Sequence, residues 1–313
     1  MAPTRTNGVV LGERGAERAS ISPWPAYLRL LRPRQWVKNG FLLAPLVFSH
    51  HLWDGWALWR ASGAFLAWCA LASGIYVVND LLDREADRQH PEKRLRPLAG
   101  GAIPVGIAIG IAIALVATGL LGLLALGRGA ALPGLLYAAI NLAYSLYLKQ
   151  VVIIDVMALA SGFVLRVVSG AEAISVWISP WLVLCTGLLA LFLGFEKRRG
   201  EQVQLELEAN KHRRVLNHYS PYFLDQLVSV LTASSLIAYT LYTISEDTIA
   251  RFGTNKLFLT VPFVLYGIFR YLYLVHQKKG GSNPVDIVLS DAPFAANLTL
   301  WILSCALIIY WPK

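Results

Sequence analysis

Long apolar runs separated by short polar segments are the dominant pattern along this chain. A helix needs about 20 apolar residues to cross the hydrocarbon core of a membrane, and runs of about this length recur along the whole sequence. They predict nine helices, at residues 28–49, 61–82, 102–126, 132–148, 150–171, 180–197, 224–244, 256–276 and 290–311. Trp36, Lys38 and Asn39 interrupt the first run, and only Lys149 and Gln150 separate the fourth from the fifth. The pattern therefore predicts an all-α, polytopic membrane protein with nine transmembrane helices.

The composition of the chain agrees with a membrane location. Hydrophobic residues make up 56% of the 313 residues and charged residues 15%, whereas soluble domains carry about 25% charged residues. No change in composition marks a second domain, so residues 27–313 are expected to form a single nine-helix catalytic domain. Residues 1–26 are polar and lack the apolar core of a signal peptide, which predicts a disordered cytoplasmic tail.

The distribution of basic residues predicts the orientation of the helices. Lys and Arg gather before the first helix, after the second and after the sixth, whereas the alternate loops contain few. The positive-inside rule then gives a cytoplasmic N-terminus, an outside C-terminus and two basic loops that both face the cytoplasm. The formal net charge of +9 follows from this bias and from attraction to anionic headgroups. No nucleic-acid partner is expected, because there is no basic stripe on a soluble fold.

The first candidate site closes the second apolar run. Asn79, Asp80, Asp83 and Asp87 are spaced one, three and four residues apart, which on a helix places them along one face. Carboxylates at the end of an apolar helix are costly unless they bind something. Mg²⁺ would relieve their repulsion and usually keeps substrate phosphates among its oxygen ligands. We therefore predict a Mg²⁺ site formed by Asp80, Asp83 and Asp87, with a solvated helix end as the alternative.

The second candidate site is the basic segment after the sixth helix. Lys197 and Arg198 lie at the helix end, where such side chains can hold phosphate oxygens, and Glu201 could complete a second cation site. The alternative is an ordinary solvated surface of mixed charge. On the predicted topology this segment faces the same side of the membrane as the aspartates.

Polar residues inside the fourth and fifth helices form a third set of candidates. Tyr144 and Lys149 end the fourth helix, Asp155 lies one turn into the fifth, and Arg166 follows three turns later. An ionisable residue inside a membrane is a functional candidate by default. The alternative is a structural ion pair of Asp155 with Lys149 or with Arg166. The predicted topology places Lys149 and Asp155 at the cytoplasmic side and Arg166 deeper or toward the outside.

The pattern Asn-Asp-x-x-Asp-x-x-x-Asp at 79–87 resembles the first aspartate motif of the UbiA superfamily of intramembrane prenyltransferases. The resemblance covers the chain from about residue 26 and is closer still to one branch, the bacterial decaprenyl-phosphate phosphoribosyltransferases. Its matching stretches are 31–39, 90–97, 144–149, 161–166, and Lys197-Arg198 with Glu201. UbiA quinone enzymes typically carry a second aspartate-rich motif where this chain has Lys197-Arg198-Arg199-Gly200-Glu201. This departure favours a phosphate-rich donor over aromatic prenylation.

The resemblance implies a UbiA-type nine-helix bundle in a bacterial plasma membrane, with an active-site cavity open to the cytoplasm and to lipid. The implied reaction transfers 5-phosphoribose from phosphoribosyl pyrophosphate to a polyprenyl (decaprenyl) phosphate and supplies a precursor of cell-wall arabinan. Mg²⁺ on Asp80, Asp83 and Asp87 would stabilise the leaving pyrophosphate, and Asn79 would orient a water or a phosphate. The resemblance also implies that the donor is bound by Lys93, Arg94, Lys197 and Arg198. The lipid phosphate would be docked by Lys38 and Asn39, or alternatively by Tyr144 and Lys149. Further substrate contacts would come from Asp155, Arg166 and Glu201.

Two rival functions remain open at this point. Transfer of a polyprenyl group from a polyprenyl pyrophosphate to an aromatic acceptor uses the same Mg²⁺–pyrophosphate chemistry, so the aspartate motif alone does not distinguish it. A transporter or lipid carrier is a different class, but carriers usually place their site near the membrane midplane, whereas the polar groups here gather at one face. The sequence leaves the polyprenyl length and the formation of a homo-oligomer open.

Overall fold

The computed structural model describes residues 23–90, 93–207, 218–277 and 290–310, and within these ranges the regular structure is entirely helical. Most of the predicted tail, residues 1–22, lies outside the described ranges. Eight helical segments are long and apolar enough to cross a membrane. The α-helices are α1 (Pro23–Leu31), α2 (Ala44–Phe48), α3 (Gly55–Leu82), α4 (Arg84–Gln89), α5 (Val105–Leu126), α6 (Arg128–Leu146), α7 (Ile154–Ala173), α8 (Pro180–Leu207), α9 (Pro221–Ile244), α10 (Glu246–Phe252), α11 (Val261–His276) and α12 (Ala292–Tyr310). Short 3₁₀ segments cover Pro33–Leu43, Lys93–Leu95, Leu148–Gln150 and Lys256–Thr260.

The prediction of an all-α membrane bundle is confirmed, and the first predicted helix is where the structure differs most. Residues 28–49 form α1, the 3₁₀ segment Pro33–Leu43 and α2 instead of one continuous helix. Arg32 adopts a left-handed backbone conformation (φ 52°) just before Pro33, and a second proline, Pro45, lies in the first turn of α2. A proline lacks the N–H of a helical hydrogen bond and disfavours the α conformation in the residue before it. These positions therefore divide the segment.

The divided segment nevertheless crosses the bundle beside α3. In the second half of α3, the indole of Trp36 donates to Ser73 at 3.0 Å. In the middle, the Asn39 amide contacts the Cys69 sulfur at 3.2 Å. At the far end, Leu46 packs in the cluster that contains Ala57. The first predicted helix is thus a broken segment, and among the described residues eight long helical segments match the other predicted spans.

Close contacts between helices define the packing around α3. A Cβ added to Gly119 of α5 would lie 2.7 Å from the backbone nitrogen of Leu71 and 2.8 Å from the carbonyl oxygen of Ala67. On α7, a Cβ at Gly170 would overlap the carbonyl oxygen of Leu42. Small residues allow helix backbones to approach in this way within a membrane. They bring α5 against α3, and α7 against the broken first crossing.

Two apolar clusters form most of the interior. One surrounds Trp68 and Tyr137 and joins α3, α5 and α6 to the end of α7. The other surrounds Phe192, Leu224 and Tyr271 and joins the beginning of α7 to α8, α9 and α11. Because α7 contributes to both clusters, its first turns lie where the two halves of the bundle meet.

Candidate active site

Buried and half-buried charged side chains gather at the end of the bundle where α3 and α6 end and α7 and α9 begin. They form two groups that are close to each other but bonded separately. We call one the aspartate group: Arg32, Asp80, Asp83, Asp87, Arg96 and Lys149. We call the other the Arg198 group: Tyr144, Asp155, Arg198, Glu201 and Tyr219. Charges removed from water need partners, because an unpaired buried ion costs several kcal/mol, and the geometry of both groups follows from this requirement.

The aspartate group is divided by a break in the helix. α3 ends at Leu82 and α4 begins at Arg84, with Asp83 between them at the C-cap position. Asp80 and Asp87 are buried, with exposures of 2% and 4%. Asp83 points elsewhere and binds Lys149, whose Nζ lies 2.7 Å from its Oδ1. The predicted single face of four polar residues is therefore split between two helices.

Two arginines neutralise the buried aspartates. Arg32 donates to Asp80 Oδ1, and Arg96 Nη1 lies 3.0 Å from the same oxygen. The same Arg96 nitrogen lies 2.6 Å from Asp87 Oδ2. Charge-assisted bonds of this kind are about twice as strong as bonds between neutral groups. They hold α3, α4 and the start of the first crossing together.

A folded loop delivers Arg96 to this position. Arg84 and Arg88 of α4 donate to the carbonyl oxygens of Leu98 and Ala99, both at 3.3 Å. Leu98 is buried against α1 and α3. The loop after α4 therefore folds back over the end of α3 and brings Arg96 into contact with Asp80.

The predicted Mg²⁺ site is not preformed as a set of converging ligands. Among the described residues, no group of three or more His, Cys, Asp or Glu side chains is arranged to hold one metal ion. The oxygen ligands present nevertheless fit the ion. Asp80 and Asp87 each place a carboxylate oxygen within 3.0 Å of the same position, which the Arg96 Nη1 nitrogen occupies. Carboxylate oxygens are the ligands that Mg²⁺ prefers. Asp80 and Asp87 could share a divalent cation, whereas Asp83 lies apart with Lys149.

The Arg198 group is a closed network around one buried guanidinium. Arg198 is 1% exposed, and its Nε lies 2.6 Å from Asp155 Oδ2. Its other nitrogens donate to Glu201 Oε2 at 2.6 Å and to the hydroxyl of Tyr144 at 3.1 Å. Three helices are joined by this single side chain: α6 through Tyr144, α7 through Asp155 and α8 through Arg198 itself.

Tyr219 completes this network from a position two residues before α9. Its hydroxyl donates to Asp155 Oδ1 at 2.8 Å and accepts the backbone N–H of Ile153 at 2.6 Å. Burial raises the pKa of the Tyr219 phenol, and its hydrogen bond to Asp155 acts in the same direction. The phenol therefore remains protonated and acts as a donor, so both oxygens of Asp155 are occupied.

Two neighbouring residues of α6 connect the two groups. Ser145 donates to the side-chain oxygen of Asn79, next to Asp80 on α3. Tyr144 accepts from Arg198. The end of α6 is therefore the bridge between the aspartate group and the Arg198 group.

Arg166 and Asn39 lie in a separate network deeper in the bundle. Arg166 donates to Asn39 Oδ1 at 2.7 Å and to the carbonyl oxygen of Gly162 at 2.6 Å. Its guanidinium lies over the rings of Trp68 and Tyr137, 5.0 and 4.7 Å from their centroids. Asn39 contacts Cys69, which precedes Asp80 on α3 by roughly 16 Å at 1.5 Å per residue. Asn39 is thus placed in the interior with its amide engaged, away from the aspartate group.

The structure gathers most of the predicted site residues and changes several of their expected partners. Both ion pairs suggested for Asp155 are wrong, because Asp155 binds Arg198, Lys149 binds Asp83 and Arg166 binds Asn39. Lys197 lies 3.9 Å from Glu201. Lys38 is half-buried in the first crossing, Lys93 is half-buried in the turn Lys93–Leu95, and Arg94 in the same turn is exposed.

Four residues of the site are not among the predicted site residues. They are Arg32, Arg96, Ser145 and Tyr219. Arg32 and Arg96 each stand directly before a proline inside the stretches that carry the family resemblance, which is a signal that could have selected them. Ser145 lies inside the matching stretch 144–149 but stands before no proline, and nothing marks Tyr219, because the roles of both depend on contacts with residues distant in the sequence.

Comparisons with known proteins agree with this architecture. A model described as the UbiA prenyltransferase family matches residues 40–198. The decaprenyl-phosphate phosphoribosyltransferase of Corynebacterium glutamicum is 34% identical over 290 residues, covering 90% of this chain and 86% of the relative. The protein of the same name from Mycobacterium tuberculosis is 31% identical over 281 residues, covering 88% of this chain and 91% of the relative. A UbiA homologue from Archaeoglobus fulgidus, solved bound to GPP and Mg²⁺, superimposes with a TM-score of 0.68 at 21% identity, over 91% of this chain and 99% of the homologue.

Proposed function

Because this chain belongs to the UbiA prenyltransferase family, we propose that it transfers 5-phosphoribose from phosphoribosyl pyrophosphate to a polyprenyl phosphate and releases pyrophosphate. Decaprenyl phosphate is the expected acceptor, since the relatives that match along most of the chain are named for it. The transfer depends on Mg²⁺, and its product is a precursor of cell-wall arabinan. The protein lies in a bacterial plasma membrane with its N-terminus and active site toward the cytoplasm and its C-terminus outside.

The observation that carries this proposal is the excess of basic side chains around the aspartates. Among the predicted site residues and the two groups defined above, the basic ones are Arg32, Lys93, Arg94, Arg96, Lys149, Lys197 and Arg198, and the acidic ones are Asp80, Asp83, Asp87, Asp155 and Glu201. Phosphoribosyl pyrophosphate carries phosphate groups at both ends of the ribose, whereas a prenyl pyrophosphate carries them at one end only. A site with more cations than anions supports the donor with more phosphates.

The chemistry needs charge stabilisation more than proton transfer. Cleavage of the bond between ribose C1 and pyrophosphate leaves negative charge on the leaving group and an oxocarbenium-like ribose. When bound, Mg²⁺ supplies Lewis-acid stabilisation of that leaving charge, and Asp80 and Asp87 are the residues that would hold it. Asp83 would join them by leaving its partner Lys149. The acceptor phosphate is already anionic near neutral pH, so no strong general base is required.

The remaining side chains divide between binding and positioning. Lys93, Arg94 and Lys197 bind the phosphate groups of the donor, and Lys38 docks the lipid phosphate. Arg198 is bonded to Asp155, Glu201 and Tyr144, which favours a role in fixing the wall of the site. Asn79 is held by Ser145 and orients a ligand next to Asp80.

The experiment that tests the proposal follows radiolabelled phosphoribosyl pyrophosphate. Purified protein is incubated with the labelled donor, decaprenyl phosphate and Mg²⁺, and the label in the organic-extractable lipid is measured. We expect transfer that stops when EDTA is added. If folded protein gives no labelled lipid but transfers a prenyl group from a polyprenyl pyrophosphate to an aromatic acceptor, the proposal is wrong and the rival reaction is correct.

A further inference from the structure

The two carboxylates best placed to share a cation are already joined by a protein cation. Arg96 Nη1 lies 3.0 Å from Asp80 Oδ1 and 2.6 Å from Asp87 Oδ2. We propose that Arg96 is an exchangeable ligand of Asp80 and Asp87: it neutralises them while no divalent cation is bound, and it turns to the donor's pyrophosphate when the cation replaces it. The contact of Arg96 with pyrophosphate rests on the proposed function, whereas its exchange with a divalent cation does not.

Two buried carboxylates this close together are costly unless a cation or a proton lies between them. Asp80 and Asp87 are almost completely buried, and buried carboxylates that lie this close repel each other. A site that waited empty for a metal ion would therefore be unstable in its metal-free form. A side chain that fills the position of the metal removes this instability and makes binding an exchange of one cation for another.

Arg96 is the partner free to move, and Arg32 is not. Arg96 is 31% exposed, belongs to a loop, and among the described residues its guanidinium bonds only to Asp80 and Asp87. Arg32 has a second anchor, because its guanidinium lies 5.2 Å from the centroid of the Tyr76 ring. Asp80 and Asp87 are fixed by the helices that carry them. The exchange therefore leaves the helices in place and moves one side chain.

The released guanidinium has an obvious next partner. A divalent cation that holds pyrophosphate brings anionic oxygens beside the carboxylates. An arginine displaced from a carboxylate can bind phosphate oxygens in the same forked geometry. When the metal ion binds Asp80 and Asp87, the positive charge of Arg96 therefore becomes available to stabilise the leaving pyrophosphate.

Metal binding without any donor separates exchange from a purely structural ion pair. Free Mn²⁺ is measured by electron paramagnetic resonance with the full-length protein in detergent. Arg96→Gln removes the competing charge, so we expect Mn²⁺ to bind at least about tenfold more tightly, the lower end of what a hydrogen bond to a charged group contributes. Arg34→Gln removes the same charge from an exposed position two residues after Arg32 and is the matched control, with little change expected. Unchanged or weaker Mn²⁺ binding by folded Arg96→Gln protein would overturn the proposal.

A measurement on the unaltered protein guards against an Arg96→Gln variant that does not fold. Phenylglyoxal modifies accessible guanidinium groups, and mass spectrometry gives the rate at Arg96. We expect Mg²⁺ alone to raise this rate several-fold, and Mg²⁺ with phosphoribosyl pyrophosphate to lower it again. Protection of Arg96 by Mg²⁺ alone, or no change, contradicts the exchange. Neither Mn²⁺ binding nor labelling with Mg²⁺ alone involves the donor, so a failure of the proposed reaction would leave those results standing.

Discussion

Asp155→Asn tests whether the Arg198 group holds the two halves of the bundle together. Asp155 is fully buried, and its two oxygens bind Arg198 at 2.6 Å and Tyr219 at 2.8 Å. The substitution keeps the shape of the side chain and removes its charge, which leaves the partly exposed Glu201 as the remaining counterion of Arg198 among the described residues. Breaking one partner of a buried pair costs about 3–5 kcal/mol. This is a large part of a total stability of about 5–15 kcal/mol.

The expected loss is large enough to measure by thermal unfolding in detergent. At about 2 °C per kcal/mol for a chain of this size, Asp155→Asn should lower the Tm by roughly 6–10 °C. Asp225→Asn is the matched control, because Asp225 pairs with Arg199 at a position where its side chain is 45% exposed. Exposed pairs contribute about 0–1 kcal/mol, so the control should shift the Tm by no more than about 2 °C.

A double substitution then separates the pair from its surroundings. If Asp155 and Arg198 act as one unit, Asp155→Asn with Arg198→Gln should cost about 2–3 kcal/mol less than the sum of the two single changes. Additive losses would show that the two side chains contribute independently, and a Tm loss no greater than that of Asp225→Asn would show that the pair carries little of the stability. Either result would refute this account of the group.

Three further predictions concern other charged side chains. Asp83→Asn should remove most phosphoribosyl transfer while leaving the Tm within a few degrees, because its pair with Lys149 is partly exposed; near-normal turnover would contradict a role at the metal site. Arg166→Lys should lower stability by about 1–3 kcal/mol with little change in the KM for the donor, because the lost contacts with Asn39 and the aromatic rings lie away from the aspartates. Glu196→Met should raise stability by about 1–3 kcal/mol, since both oxygens of this buried carboxyl lack a hydrogen-bond partner among the described residues; a lower Tm would mean that Glu196 has a partner in the native membrane.

The helices and the reactive residues were largely visible in the sequence because their signals are local. Apolar runs of the right length predict spans wherever they occur, and Asp80, Asp83 and Asp87 stand out because carboxylates are rare beside such a run. The broken first crossing was harder to predict. Its apolar residues match a helix, but Pro33 and the left-handed Arg32 divide it, and packing against α3 compensates for the lost helical bonds.

The sequence by itself determined the membrane class, most of the spans and the kinds of side chain available to bind phosphate and metal, since length, hydropathy and residue type are properties of short segments. Only the tertiary structure decided which charges meet. Asp83 binds Lys149, Asp155 binds Arg198, and Arg96 binds both Asp80 and Asp87. An ion pair depends on which side chains the packed helices bring within a few ångströms, and in a buried setting every charge must find such a partner. The choice among many available partners is therefore made by the fold, and it places a protein cation where the sequence alone predicted a metal ion.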